Sequence, residues 1–132
     1  MGAVSERVEI EIAAAAPGVP LVRHALRGLL SGLEVDDDVI ADIALAVTEA
    51  CTNVVIHAYP DTEGPMEVRA VLGEEELSIV VRDEGRGVVP RADSPGLGLG
   101  LPLIATLTES LELGTGDDAA TEVRMTFRIE RG

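Results

Sequence analysis

The sequence predicts an α+β fold of two layers, a mostly antiparallel sheet with helices packed on one face. Three observations carry that prediction. The elements run strand, helix, helix, two strands, helix, two strands, so strands do not alternate with helices as a parallel sheet requires. Residues 66–72 and 77–83 flank the turn Gly73-Glu74-Glu75-Glu76, the pattern of an antiparallel hairpin. Val8, Ile10 and Ile12, like Val123, Met125, Phe127 and Ile129, fall on alternate positions, whereas Val19, Val22, Leu26, Leu29 and Leu30 recur near helical spacing.

In chain order, residues 5–12 form a half-buried strand with Arg7, Glu9 and Glu11 on its polar side. A helix over 17–30 follows and stops at Gly32. Asp36, Asp37 and Asp38 supply an N-cap and an acidic first turn to a central helix, read over 42–59 and ended by Pro60. Asp61-Thr62-Glu63-Gly64 is a turn into the hairpin. After it come the glycine-punctuated turn Asp83-Glu84-Gly85-Arg86-Gly87, a polar loop over 88–95 and the run Gly96-Leu97-Gly98-Leu99-Gly100. That run leads into an amphipathic helix from about 101 to 107, and strands over 111–114 and 122–129 close the chain.

The 132 residues are expected to form a single domain over 1–132, large enough to bury a core without disulfides. Hydrophobic residues make up 46% but aromatics only 2%, with no Trp, so the core is aliphatic and a base-stacking nucleic-acid surface is not expected. A net charge of -14 argues against a basic patch for phosphate backbones as well. Cys51, the only cysteine, cannot form an internal disulfide and reads as a small buried hydrophobe. No signal peptide is seen and charges interrupt the apolar runs, so the expectation is a soluble, cytoplasmic protein without a membrane segment.

Three features bear on chemistry. Glu49, Asn53 and His57 lie four residues apart and share one face of an otherwise apolar helix. Apolar neighbours at Leu45, Ala46, Ala50, Val54 and Ile56 suggest that this polar stripe is buried, where it needs a charge partner, a metal or a catalytic task. The plainer alternative is a solvent-facing stripe of i,i+4 hydrogen bonds. An Asn offers a hard oxygen to Mg²⁺, and Glu49 one turn earlier could act as a general base. Second, Asp83 in Asp83-x-Gly85-x-Gly87 could accept a hydrogen bond from an exocyclic amine such as that of adenine, or could cap its own turn. Third, Gly96, Gly98 and Gly100 ahead of a helix present N–H groups at the positive end of its dipole, suited to phosphate, or else form a mobile surface loop.

In this order, Glu49-x-x-x-Asn53, Asp83-x-Gly85-x-Gly87 and Gly96-x-Gly98-x-Gly100 resemble the N, G1 and G2 boxes of the GHKL, or Bergerat-fold, ATPase superfamily. The finer wording, TEACTNVVIHAY, VRDEGRGV and GLGLGLPLI, is similar to the anti-sigma-factor serine kinases of the RsbW/SpoIIAB type, over nearly the whole chain. The resemblance implies a Bergerat ATP-binding fold with ATP and Mg²⁺ as cofactors. It assigns Mg²⁺ to Asn53, the catalytic base to Glu49 and the adenine amine to Asp83. Gly85, Gly87, Gly96, Gly98 and Gly100 would shape the base pocket and the phosphate lid. Thr121 would assist the adenine contact, although it follows Ala120 where a glycine is usual. The implied function is an anti-sigma factor that phosphorylates a Ser or Thr of a STAS-domain anti-anti-sigma antagonist, with a homodimer as the family habit. Because the segment over 88–95 is short for a lid, the alternative is a nucleotide-gated binding module without kinase turnover.

Overall fold

A computed structural model of the chain describes residues 6–59, 62–85, 100–115 and 120–129. The elements are β1 (Glu6–Ala13), α1 (Gly18–Leu30), α2 (Asp37–His57), β2 (Pro65–Leu72), β3 (Glu76–Asp83), α3 (Gly100–Leu107), β4 (Ser110–Thr115) and β5 (Thr121–Arg128). All four strand pairings are antiparallel, in the order β1-β2-β3-β5-β4. The expected α+β architecture is therefore the observed one.

Alternation decides what each strand contributes. In β2, Met66, Val68, Ala70 and Leu72 are buried, and in β3 so are Leu77, Ile79, Val81 and Asp83. These face the helices, and with Met125 and Phe127 of β5 they join Val22, Leu26 and Leu30 of α1 and Ile43, Val47 and Cys51 of α2 in one hydrophobic cluster. Full burial of a Leu or Ile is worth about 1.5–3 kcal/mol, so this aliphatic interface is the main source of stability despite the near absence of aromatics. Burial pushes the Cys51 thiol up to about 12, which keeps it an inert core side chain.

The opposite face of the sheet is polar. Arg82 stands in register between Glu67 of β2 and Glu122 of β5, at 4.0 and 3.9 Å. Arg69 pairs with Glu67 at 3.2 Å and Arg124 with Glu122 at 4.0 Å. Each such pair adds between zero and about 1 kcal/mol. Their alternating signs leave a wet surface rather than an apolar one.

Helix α2 begins earlier than its apolar run suggested. The Asp38 N–H donates to Asp36 Oδ1 at 3.1 Å, so the aspartates cap the helix, and the first turn at Asp37 and Asp38 suits its dipole. At 21 residues with a hydropathy of 1.8, α2 is long and apolar enough to cross a membrane, contrary to the expectation that charges would interrupt such a run. It packs against α1, α3 and β3 along a buried face that includes Ile43, Ala46, Val47, Ala50, Cys51 and Val54. The turn after α1 carries Gly32 at φ 83°, a left-handed conformation that stops the helix as expected.

Candidate functional site

The site is organised by the two ends that α2 and β3 bring together. Asp83, the last residue of β3, is 7% exposed and on the helix-facing side of the sheet. Its Oδ1 accepts the Gly85 N–H at 2.9 Å, so the carboxylate does cap its own turn. Burial raises its pKa above the ordinary carboxylate value, and the Gly85 N–H partly opposes that shift. Thr121, the first residue of β5, is its direct cross-strand partner. Paired residues of adjacent strands point to the same face, so the Thr121 side chain lies beside the carboxylate on the helix side.

From Asp83 the chain turns onto the C-terminal end of α2. A Cβ at Gly85 would collide with the carbonyl and side chain of Ala58, the residue that caps α2. Only glycine allows this approach, and it brings the turn against the helix that carries Glu49 and Asn53. Helix α3, which starts at Gly100, packs on the same helix.

Glu49, Asn53 and His57 are half-buried. The expectation that the polar stripe is buried, because the flanking apolar residues leave little room for an exposed face, is incorrect, since Leu45 is 41% and Ile56 51% exposed. The polar stripe instead runs along the flank between the buried face, formed by Ala46, Ala50 and Val54, and the exposed one. On that flank a carboxylate and an amide stay hydrated yet can meet a ligand, without the cost of full burial. Among the described residues, His57 Nε2 is buried without a hydrogen-bond partner.

Gly87, Gly96 and Gly98 lie outside the described residues, as do Arg86 and the segment over 88–95. Among the described residues no cluster of three or more His, Cys, Asp or Glu side chains could hold a metal by itself. Mg²⁺ binds through one or two protein oxygens together with substrate phosphates and water. The Asn53 amide oxygen is a donor of the required kind.

Sequence reasoning assigned no role to Tyr59, two residues past the end of α2. Its hydroxyl donates to the Pro65 carbonyl at 2.6 Å and accepts the Glu84 N–H at 2.8 Å, and its ring fills the space beside Gly64. The one available signal was that this is the only tyrosine of the chain, placed directly after the helix that bears the polar stripe.

Residues 12–127 match the histidine kinase-like ATPase domain family, and the chain belongs to that family. Within it, the chain is 35% identical to the serine-protein kinase RsbW of Halalkalibacterium halodurans, over 96% of this chain and 85% of that protein. It is 34% identical to the serine-protein kinase RsbW of Bacillus cereus strain ZK / E33L, over 96% of this chain and 87% of that one. The crystal structure of the RsbU and RsbW domains of Rv1364c from Mycobacterium tuberculosis superposes with a TM-score of 0.74 at 26% identity, covering 96% of this chain and 33% of that one.

Proposed function

We propose that this chain is an ATP-dependent serine/threonine protein kinase and anti-sigma regulatory factor, acting as one ATP-binding domain in the cytoplasm. The observation that carries this reading is the approach of Gly85 to Ala58, which sets the Asp83 turn against the helix bearing Glu49 and Asn53. Its support from relatives is the likeness to two proteins named serine-protein kinase RsbW across nearly the whole chain.

In this reading Asp83, with Oδ1 committed to Gly85, offers its other oxygen to the adenine amine, and Thr121 supports the contact from the neighbouring strand. Gly85 and Gly87 let the base approach the backbone, and Gly96, Gly98 and Gly100 hold the phosphates ahead of α3. Asn53 supplies an amide oxygen to Mg²⁺, which when bound offsets phosphate charge. Glu49 accepts the proton of a Ser or Thr hydroxyl as that oxygen bonds to the γ-phosphorus and the bond to the departing ADP breaks. The protein substrate is a STAS-domain anti-anti-sigma antagonist, and the competing partner is a sigma factor. ATP and ADP favour different partners through their differential binding, and the working unit is a homodimer.

Incubation of the purified protein with γ-labelled ATP, Mg²⁺ and a STAS-domain partner tests this directly. Transfer of label to a Ser or Thr of the partner is the expected result. Nucleotide binding without transfer would replace the kinase by a nucleotide-gated binding module. The alignments with the relatives extend over 141 positions against 132 residues here, so the relatives carry residues that this chain lacks.

A further inference from the structure

The β2–β3 pairing ends at Met66 opposite Asp83, and one further step of the register would bring Pro65 opposite Glu84. No such rung forms. The Tyr59 hydroxyl instead lies between the two, taking the Glu84 N–H at 2.8 Å and donating to the Pro65 carbonyl at 2.6 Å. A single oxygen thus substitutes for the next rung of the ladder and holds the strands apart immediately after Asp83. The ring that delivers it is seated by Gly64, where a Cβ would collide with it.

We propose that Tyr59 is a positioning residue for nucleotide recognition: its hydroxyl fixes the backbone of the Asp83–Gly85 turn, and thereby the carboxylate that reads the base, to the start of β2. This rests on the nucleotide-binding reading of the site. The turn is clamped at three consecutive residues. Asp83 is held by the strand, the Glu84 N–H by Tyr59, and the Gly85 N–H by the Asp83 carboxylate. Tyr59 is the only one of these restraints that comes from outside the strand and its turn. Removing it frees the Glu84 N–H and the Pro65 carbonyl at a partly exposed position where water can replace the phenol, so the chain stays folded while the turn loosens.

The test compares ATP and GTP binding, each with Mg²⁺, by calorimetry on the wild-type chain and Tyr59→Phe, which keeps the ring against Gly64. The expected result is an ATP affinity lower by on the order of tenfold, about the loss of one or two net hydrogen bonds. The preference for ATP over GTP should fall as well, because a loosened turn discriminates the exocyclic amine less sharply. Equal weakening of both nucleotides would reduce Tyr59 to a structural role and overturn the proposal, as would ATP binding within twofold of wild type. If the wild-type chain binds neither nucleotide, the nucleotide reading fails and this inference with it. A second measurement needs no variant. Tyr59 is the only tyrosine and there is no tryptophan, so tyrosine fluorescence reports on it alone. Saturation with ATP and Mg²⁺ should change that emission beyond the light absorbed by the nucleotide itself, and an emission unchanged after that correction would count against the proposal.

Discussion

Asp83 and Thr121 face each other across the β3–β5 pairing, one ending its strand and the other beginning its own. Their side chains share the helix-facing side of the sheet, where Asp83 is the one buried charged residue among those described. Asparagine at position 83 can still accept the Gly85 N–H through its amide oxygen, so Asp83→Asn should preserve the turn. Its amide cannot match a carboxylate as acceptor for an exocyclic amine. We expect ATP affinity to drop at least about tenfold, the scale of one charge-assisted hydrogen bond. Calorimetric titration with Mg-ATP checks the loss, and thermal melting without nucleotide should show a nearly unchanged midpoint.

The same residue predicts a pH dependence. Burial raises the Asp83 pKa in the folded chain above its unfolded value, outweighing the opposing Gly85 N–H bond. Between those two values the folded state holds a proton that the unfolded state has released. The contribution to stability is therefore fully present below the unfolded pKa and is lost as pH rises through the folded one. Relative to Asp83→Asn, the wild-type chain should gain stability on acidification through that window, read from urea denaturation at successive pH values. Nucleotide affinity should move the other way, because the amine contact needs the ionised carboxylate. Parallel trends in the two proteins would show that Asp83 does not titrate as argued.

Two glycines should respond in opposite directions to the same substitution. At Gly85 an added Cβ would run into the Ala58 carbonyl, which is fixed by the end of α2, so the turn must move. Gly85→Ala should cost about 1–3 kcal/mol of stability, as overpacking does, and weaken ATP binding. Gly28 lies within α1 and a Cβ there would meet nothing within 4 Å. Gly28→Ala should stabilise the chain by up to about 1 kcal/mol through helix propensity alone and leave ATP affinity unchanged. Chemical denaturation of both variants distinguishes a contact at the site from a general intolerance of glycine replacement.

Most of the fold was legible because it follows from local patterns. Alternation in β1 and β5, the turn between β2 and β3, and the aspartates ahead of α2 each fix an element without reference to the rest of the chain. Asp83 and Gly85 were legible as a turn for the same reason. What stayed hidden depends on register or on neighbouring elements. The exposure of Leu45 and Ile56 follows from which side of α2 meets the sheet, and an apolar sequence gives no sign of it. The role of Tyr59 requires knowing that Pro65 and Glu84 fall next to one another at the end of a pairing that starts far away in the hairpin. Thr121 was reached only through resemblance, since nothing local to it points toward Asp83.

Glu49 and Asn53 lie one helical turn apart on the half-buried flank of α2, and their proposed tasks separate binding from chemistry. A base that takes the hydroxyl proton is needed only as the phosphoryl group moves. Glu49→Ala should therefore lower phosphotransfer by about 10²–10⁴-fold, the usual worth of general base catalysis, while ATP binds almost as before. An oxygen that holds Mg²⁺ acts already in the bound state. Asn53→Ala should weaken nucleotide binding in Mg²⁺ but change it little in EDTA, where the cation is absent from both proteins. Because neither side chain belongs to the hydrophobic cluster, both variants should melt near the wild-type temperature, which keeps a loss of function from being mistaken for a loss of fold. The measurement is a pair of titrations and one single-turnover assay per variant. If Glu49→Ala turned over like wild type, or if Asn53→Ala lost affinity equally with and without Mg²⁺, the division of labour along this helix would be wrong.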